Sequence, residues 1–373
     1  MRLSFTVTTA VLLLMTRLTS AAELPAAKKA DDNPLRIVIV GLVHGHAQSL
    51  IEQALQRADV EIVGVAEPDR QLASQFAARF GWTSELLFED LETMLQKTRP
   101  EAAVLFTSTY DHLRVVEIGA RHGVHVMMEK PLAVSLQHGQ AIQNAARKGN
   151  IQVLVNYETS WYRNTRAAYD LVKRGTLGDI RKVVVHDGHA GPKKIGVGPE
   201  FLTWLTDPKL NGGGALFDFG CYGADLTTWL MDGRRPITVT AITQRLQPEV
   251  YLRVDDEATI ILTYADAQAI FQASWNWPFD RKDIEIYGES GYAITVGRDN
   301  IRMRQHGADE KNIAAAPLTP PHDAPLSLLR AVIRDGVQPD GLSSLETNML
   351  VTEILDAARR SAAQGKTIRL APR

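Results

Sequence analysis

Cysteine is nearly absent, since Cys221 is the only one in 373 residues. A disulfide within the chain is therefore excluded, and stability has to come from packed cores. An excess of one charge is also lacking, because 41 Lys and Arg residues offset 43 Asp and Glu residues to a formal net charge of −2. A balanced chain offers no basic surface for nucleic acid, so nucleic acid is not expected as a partner.

Long hydrophobic runs are also lacking, apart from one at the N-terminus. Arg2 precedes an apolar run over residues 5–15, and small residues follow. This order is typical of a secretory signal, and the run is shorter than the roughly 20 residues that a membrane-spanning helix needs. We expect residues 1–22 to be a signal peptide, cleaved after Ala21 or Ala22. The mature protein is then exported, periplasmic or secreted, with no membrane segment.

Residues 23–34 are rich in Ala, Lys, Asp and Pro and predict a flexible lead-in. From residue 35 apolar strands alternate with helical patterns. The strands are expected at 35–41, 60–67, 102–106, 124–128 and 151–155. Such alternation indicates a parallel, doubly wound sheet, so the α/β pattern predicts a Rossmann dinucleotide-binding domain over 35–155.

The turn after the first strand reads Gly41-Leu42-Val43-His44-Gly45-His46. It is similar to the dinucleotide fingerprint, in which glycines let backbone amides at a helix N-terminus approach a pyrophosphate. The match is imperfect, because Val43 and His46 stand where the second and third glycines belong. We take Gly41, Val43, His44, Gly45 and His46 as cofactor candidates. The two histidines could also suggest a metal, but no Cys or carboxylate lies nearby in sequence and metal sites usually need three or four ligands, so none is expected.

Polar residues end the next two strands. Glu67 can accept hydrogen bonds from ribose hydroxyls and would repel a 2′-phosphate, which favours NAD over NADP; a strand simply ending in water is the alternative. Thr107 and Ser108 are suited to lie beside a nicotinamide ribose, and His112 opens the following helix. These four residues are further cofactor candidates.

The stretch Val126-Met127-Met128-Glu129-Lys130-Pro131-Leu132 brings a carboxylate and an ammonium group to the end of an apolar strand. In an open α/β sheet ligands bind at that edge. Glu129 and Lys130 are therefore candidates for cofactor binding, and Lys130 also for catalysis. The plain alternative is a solvated charge.

After residue 156 the pattern changes. Strands are expected at 181–187, 237–244, 250–264, 268–276, 283–288 and 291–296, with a closing helix at 344–363. Consecutive strands joined by turns favour an antiparallel sheet with one exposed or interface face. We predict that 156–373 form a C-terminal α+β domain with a large, mostly antiparallel open sheet that serves substrate binding and oligomerisation.

A long insert, 188–235, carries three glycines and an apolar helix. In that helix Asp218, Tyr222 and Asp225 are spaced i, i+4 and i+7 and so share one face. The surrounding residues are apolar, which predicts a buried helix whose polar stripe meets a ligand or an internal hydrogen-bond network. The glycines allow a ligand or a second backbone to approach closely.

Taken together, the motifs Gly41-Leu42, Glu129-Lys130-Pro131, Asn156-Tyr157 and Gly212-Gly213-Gly214-Ala215-Leu216-Phe217-Asp218-Phe219-Gly220-Cys221-Tyr222 resemble the glucose-fructose oxidoreductase / inositol dehydrogenase (Gfo/Idh/MocA) family. The resemblance covers roughly 35–370. It implies a nicotinamide-binding domain followed by an α/β domain whose open sheet often joins subunits, and hence a homo-oligomer.

The resemblance also implies roles for three residues. Lys130 matches the catalytic lysine and Asp218 the substrate-positioning acid. Tyr222 stands where many members carry His and where the glucose-fructose oxidoreductase branch carries Tyr. The implied reaction is hydride transfer from a sugar or sugar derivative to NAD, with Tyr222 and Lys130 taking the hydroxyl proton. We expect the ammonium group to lower the pKa of the tyrosine.

Six residues flank the proposed cleft as candidate sugar contacts, although each could instead belong to the core or the surface. They are Trp161, Tyr162, Arg163, His189, Trp204 and Asp225. Because export conflicts with a renewable NAD supply, three readings stay open. The cofactor stays bound and is recycled between two sugars; or transient oxidation cleaves a glycoside without net redox change; or the protein binds carbohydrate without catalysis.

Overall fold

The computed structural model describes residues 33–339 and 341–371. The expected signal peptide and nearly all of the lead-in lie outside the described residues. Within the described ranges no helix combines the length and apolar character needed to cross a membrane.

The first sheet has six strands, all parallel to their neighbours. They are β1 (Leu35–Val40), β2 (Val60–Ala66), β3 (Leu87–Phe88), β4 (Ala102–Leu105), β5 (His125–Glu129) and β6 (Val153–Asn156). The helices between them are α1 (Ala47–Leu55), α2 (Arg70–Phe80), α3 (Leu91–Thr98), α4 (His112–His122) and α5 (Leu136–Gly149). The strand order is β3-β2-β1-β4-β5-β6, which confirms the predicted doubly wound Rossmann fold.

The central strands are buried on both faces because helices cover both sides of the sheet, as their continuous apolar runs require. Side chains at Asp69, Asp90 and Ser135 accept backbone N–H groups and so start three of the helices. The carboxyl ends of β1, β4 and β5 lie side by side. Gly41 and Lys130 therefore reach one edge of the sheet.

The second sheet has nine strands: β7 (Ile180–Gly188), β8 (Thr238–Gln244), β9 (Glu257–Thr263), β10 (Gln268–Ser274), β11 (Arg281–Gly288), β12 (Gly291–Val296), β13 (Asn300–Gln305), β14 (Lys311–Ala314) and β15 (Ile368–Arg369). Their order is β14-β13-β12-β11-β7-β10-β9-β8-β15. Only β7 and β10 pair in parallel; the other described pairs are antiparallel. This confirms the predicted mostly antiparallel sheet.

The helices of the second half are α6 (Arg163–Lys173), α7 (Pro192–Ile195), α8 (Pro199–Leu205), α9 (Ala215–Asp218), α10 (Gly220–Leu230), α11 (Pro325–Arg334) and α12 (Leu345–Gln364). Every residue of α10 is buried, and the helix packs against β7 and β10. The apolar insert therefore forms the core under the sheet, as its composition predicts.

Two expected elements differ in the structure. The single insert helix is broken at Phe219 into α9 and α10. The strand expected over 250–264 begins only at Glu257, because Asp255 and Asp256 use their carboxylates to bind backbone N–H groups of two other loops. Residues 250–256 therefore form a loop instead of a strand.

Helix α11, which the sequence analysis did not predict, packs on the first sheet. Its apolar face joins the core formed by β1, β4 and β5 through Leu326, Leu328, Leu329 and Val332. The expected boundary at 155/156 falls inside β6, one residue before that strand ends, and a helix from the C-terminal half completes the core of the first sheet. Helix α12 also returns to the first domain, where it packs on α5.

Candidate active site

The glycine run of the insert makes a close backbone contact with the loop before β9 of the second sheet. Gly214 has no room for a side chain, because a Cβ there would lie 1.8 Å from the carbonyl oxygen of Asp255. The Asp255 carboxylate accepts the backbone N–H groups of Gly214 and Leu216, and so starts α9. Of the two roles that the glycine run allowed, the structure shows approach of a second backbone. This contact sets the position of Asp218 at the end of α9.

Lys130 and Asp218 meet across the two domains. The ammonium group donates to the carbonyl oxygen of Asp218 at 3.0 Å and also to its carboxylate. The Trp275 indole donates to the other carboxylate oxygen at 2.9 Å. Burial opposes both charges, but attraction within the pair raises the pKa of Lys130 and lowers the pKa of Asp218. Lys130 is therefore held as a buried, oriented cation.

Tyr222 lies one turn beyond Asp218, and two ammonium groups lie near its ring. The Nζ atoms of Lys130 and Lys282 lie 5.2 Å and 4.9 Å from its ring centroid. Burial raises the pKa of Tyr222 well above its ordinary value, and the carboxyl groups of Asp187 and Glu158 raise it further. The expectation that the ammonium group would favour phenolate is wrong, because the cations lie over the ring while burial and carboxylates disfavour the anion.

A second cluster of polar side chains, which was not predicted from the sequence, surrounds Glu158. Lys282 and Arg298 both pair with its carboxylate, and the Tyr162 hydroxyl donates to it at 2.7 Å. Burial would raise the pKa of Glu158, but Lys282, Tyr162 and Arg298 lower it to about 2. Together with His189 these residues line a cavity of about 390 Å³.

A second cavity, of about 370 Å³, lies between the domains beside the glycine-histidine loop. Glu129 lies in its wall, accepts the Asn156 amide at 2.8 Å and contacts His46 Nδ1 at 3.1 Å. The Trp161 indole donates to Asn156 at 2.8 Å. Burial opposes ionisation of Glu129, but His46 and these hydrogen bonds lower its pKa to about 2. Both cavities share Glu158, Tyr162 and Arg298 and therefore adjoin.

His44, His46 and Glu129 place three potential metal-ligand atoms within 4.8 Å of one another. The sequence analysis found no carboxylate near the two histidines; the fold supplies Glu129, which corrects that point. Two of these side chains are, however, bonded to each other, since His46 Nδ1 lies 3.1 Å from the Glu129 carboxylate. His44 Nδ1 accepts the His46 backbone N–H at 3.1 Å, so the proton of the neutral ring is on Nε2 and leaves no free lone pair for a cation. Burial and His46 lower the pKa of His44 to about 3, which keeps the ring neutral.

The loop fits the diphosphate of a nicotinamide cofactor in two respects. Gly41 has φ of 78°, and a Cβ would lie 2.7 Å from the Thr107 side chain, so only glycine allows this turn. The Ala47 amide donates to the His44 carbonyl oxygen at 3.1 Å, but no side chain caps the first turn of α1, which leaves the amides of Gln48 and Ser49 available to phosphate oxygens. Ser108 follows β4, and its hydroxyl donates to the Asp111 carboxylate at 2.6 Å.

Glu67 is buried under this loop. Its carboxylate oxygens accept the backbone N–H groups of Leu42 at 2.8 Å and Asp69 at 2.9 Å. Burial raises the pKa of Glu67. Each oxygen keeps a second lone pair, so the carboxylate both shapes the loop and stays able to accept a ribose hydroxyl.

Four candidates lie elsewhere than the sequence analysis expected. Trp204 donates its indole N–H to the Val43 carbonyl at 3.3 Å and packs with Phe201 on His44, so it covers the phosphate loop. Arg163 pairs with Asp299 at 3.5 Å, is half-exposed and lines neither cavity.

The other two are buried. His112 lies 3.2 Å from the carbonyl oxygen of Leu132 and supports the turn after Lys130; burial lowers its pKa to about 4. Asp225 is wholly buried in α10, with no hydrogen-bond partner for its carboxyl group within the described chain. Asp225 lines neither cavity and is enclosed by the core.

Replacing Glu158 with Gln is expected to reduce the loss of stability in acid. Its folded pKa of about 2 lies below the ordinary value of 4.5, so its contribution is full above about pH 4.5 and is lost as the pH falls toward 2. Between about pH 5 and pH 2, the free energy of unfolding in urea should fall by on the order of 1–3 kcal/mol less in the variant than in wild type. Exposed Glu249→Gln is the control and should keep the wild-type dependence; an unchanged dependence in Glu158→Gln contradicts the prediction.

Comparison with known families gives a match in each half of the chain. Residues 35–157 match the oxidoreductase family described by its NAD-binding Rossmann fold. Residues 165–294 match the GFO/IDH/MocA C-terminal domain. The two segments belong to one family and together span well over half of the chain.

Curated relatives are distant. The trans-1,2-dihydrobenzene-1,2-diol dehydrogenase of Macaca fuscata fuscata is 25% identical over 228 residues, which are 61% of this chain and 64% of that protein. This match spans slightly less than two thirds of the relative's length. The NADP(+)-dependent D-xylose 1-dehydrogenase of Haloarcula marismortui is 24% identical over 70% of this chain and 72% of its own.

Solved structures extend the likeness in fold. An aldose-aldose oxidoreductase from Caulobacter crescentus, complexed with glycerol, has a TM-score of 0.78 at 20% identity, covering 91% of this chain and 100% of that one. An inositol dehydrogenase homologue from Azotobacter vinelandii, complexed with NAD+, has a TM-score of 0.78 at 18% identity over 91% and 98%. With both family domains matched in order, the chain belongs to the GFO/IDH/MocA oxidoreductase family.

Proposed function

We propose that the protein is an NAD(P)-dependent oxidoreductase that moves a hydride between a hydroxyl-bearing carbon of a sugar, or sugar derivative, and a nicotinamide. The observation that carries the proposal is the buried Lys130–Asp218 pair, which joins the carboxyl end of β5 in the Rossmann domain to the end of α9 in the second domain. The named activities of the diol and xylose dehydrogenase relatives support the same reaction class.

The loop at Gly41, the amides starting α1, Glu67 and Glu129 would hold the cofactor. It would supply the hydride acceptor or donor. We favour NAD over NADP because the buried Glu67 disfavours a 2′-phosphate. Arg70, the nearby cation that could pair with such a phosphate, is instead paired with Glu89 at 2.6 Å.

Lys130 is suited to bind the substrate oxygen atom that reacts. Its ammonium group would donate a hydrogen bond and stabilise the negative charge that develops as the hydroxyl is oxidised. Asp218 keeps that ammonium charged and oriented. Because both groups are buried, water competes little with the substrate for this charge.

The cavity of the second domain suits a polyhydroxylated ligand. His189 Nδ1 accepts the Gly191 backbone N–H at 2.9 Å, and burial lowers the pKa of His189, so the neutral ring offers Nε2–H as a donor. Glu158 and Lys282 supply an acceptor and a donor nearby. A volume of about 390 Å³ is in the range of small-molecule sites. Tyr162, which lines this cavity, and Trp161, which lines the adjoining one, add aromatic surface for a sugar ring.

The test has two arms on purified full-length protein. Mass spectrometry measures co-purifying NAD(H) and NADP(H), and added dinucleotide is titrated by calorimetry. The protein is then incubated with sugars and aryl glycosides, and keto-sugars, lactones and released aglycone are measured. We expect dinucleotide binding and oxidised sugar without aglycone. Aglycone release instead supports cleavage through transient oxidation, and sugar binding without dinucleotide supports a non-catalytic carbohydrate-binding protein.

Export and assembly are parts of the same proposal. Export rests on the charged, apolar and small-residue order of residues 1–22. A homo-oligomer is supported by the sheet face opposite α10, where Ile242 is 66% exposed and Val184, Ile261 and Ile270 are only partly covered. Fractionation of cells expressing the full chain tests export, and light scattering of the mature protein tests assembly.

A further inference from the structure

The proposed oxidation needs a group that accepts the hydroxyl proton, and the nearest candidates do not suit that task. Lys130 is already a cation, held in that state by Asp218. Tyr222 has a pKa raised well above its ordinary value by burial, so its phenol keeps its proton. His189 offers no basic nitrogen, because Nδ1 accepts the backbone N–H of Gly191 and Nε2 carries the proton.

Asp187 lies among these residues and the mechanism so far does not use it. It is the penultimate residue of β7, and strand alternation places its side chain on the same face as Val185, toward α10. The residue is 2% exposed, and within the described chain its Oδ1 has no hydrogen-bond partner. An unpartnered carboxyl oxygen can accept a hydrogen bond or a proton, and Asp187 differs from the equally unpartnered Asp225 in the charged groups that face it.

Charged groups face Asp187 from several elements. Lys282 is its direct partner in the β7–β11 register. Lys130 at the end of β5 is a second cation within electrostatic reach, and Asp218 on α9 and Glu158 add negative charge. Tyr222 on α10 is the neutral neighbour. Asp187 thus lies at the centre of the polar cluster that surrounds the Lys130–Asp218 pair.

The opposing effects of burial and of nearby charges on Asp187 suit a residue that transfers protons. Burial raises the pKa of Asp187 well above its ordinary value, the two lysines lower it, and Asp218 and Glu158 raise it. A raised pKa makes the carboxylate a stronger proton acceptor than an ordinary aspartate, and the carboxyl group can return the proton in the reverse direction. Asp225 offers a contrast, because burial alone raises its pKa and no charged group accounts for any part of the shift.

We propose that Asp187 is the acid–base residue of the site and exchanges a proton directly with the reacting hydroxyl oxygen. The role rests on the proposed oxidoreductase function. In oxidation the O–H bond breaks, its electron pair forms the second carbon–oxygen bond, and the proton moves to the Asp187 carboxylate. The C–H bond breaks with its electron pair, which leaves as hydride to the oxidised nicotinamide. In reduction Asp187 returns the proton to the carbonyl oxygen.

The test compares Asp187→Asn with wild type and with Asp225→Asn, a matched change of a buried carboxyl group outside the cleft. General acid–base catalysis typically contributes about 10²–10⁴-fold, so kcat of Asp187→Asn should fall by that amount. The variant should also lose the limb of the kcat–pH profile that reports the carboxyl group, while calorimetry shows unchanged dinucleotide affinity. Asp225→Asn should keep the wild-type profile.

Infrared difference spectroscopy gives a readout that does not depend on turnover. Wild type should show a protonated carboxyl band that titrates above the pH range of an ordinary aspartate and is missing from Asp187→Asn. If Asp187→Asn does not fold, Asp187→Glu is the second variant and should shift the pH limb without removing it.

Two failures are distinguishable. Wild type that turns over sugar while Asp187→Asn keeps its kcat and pH limb would overturn the role of Asp187 alone. Wild type that binds no dinucleotide and oxidises no sugar would overturn the proposed function and this role with it.

Discussion

Lys130→Met is expected to lower kcat by about 10²–10³-fold, the usual loss when one donor to a developing oxyanion is removed. Methionine keeps an unbranched chain of similar length but has no ammonium group. Substrate affinity should change much less, because Glu158, His189 and Lys282 still line the cavity. Initial rates, followed by the absorbance of reduced nicotinamide, give kcat and KM separately.

Stability has to be measured beside these rates. Asp218 would stay buried with only Trp275 as a side-chain donor, and removing one partner of a buried ion pair costs about 3–5 kcal/mol. Urea unfolding therefore checks that the variant is folded under assay conditions. Lys148→Met, on the exposed face of α5, is the control and should match wild type. Near-normal turnover in Lys130→Met would remove this residue from the mechanism.

Leu329→Ala is expected to destabilise the protein by about 2–5 kcal/mol, the range for a leucine removed from a core. Leu329 is 0% exposed in α11 and belongs to the core on one face of the first sheet. Urea unfolding, followed by circular dichroism, measures the change in the free energy of unfolding.

Leu252→Ala is the matched control, because that leucine is 70% exposed. A surface change of this kind should stay within about 0.5 kcal/mol of wild type. If Leu329→Ala also stayed within that limit, the burial of Leu329 would not contribute to the stability of the first core.

The first sheet could be predicted from the sequence because its strands are continuous apolar runs and its helices are regular. The meeting of Lys130 with Asp218 followed from the family motifs, which carry long-range information that periodicity does not. Both predictions rest on sequence signals, an apolar run or a motif, that can each be recognised within a short stretch of the chain.

The parts that could not be predicted depend on register in the second sheet. Asp187 and Lys282 are nearly a hundred positions apart, and only the pairing of β7 with β11 makes them neighbours. Glu158 follows a predicted strand, yet its partners arrive from β11 and the turn after β12.

Local environment accounts for the other errors. Tryptophan is a residue type that suits a sugar contact, but the short helix that carries Trp204 packs onto the phosphate loop. The pKa of Tyr222 depends on burial and on the position of two cations over its ring. Helical spacing alone also placed Asp225 beside Asp218, since a break at Phe219 leaves no trace in an i, i+4, i+7 pattern.

The contribution of α11 to the first core has a consequence for the newly synthesised chain. When the ribosome has completed β6, the nucleotide-binding sheet still lacks the helix that covers part of one face, and more than 160 residues of the chain, up to Pro325, must follow before that helix exists. The N-terminal half therefore cannot reach its final packing during translation of the second sheet. We expect a fragment ending at residue 156 to aggregate, and the whole chain to unfold in a single transition.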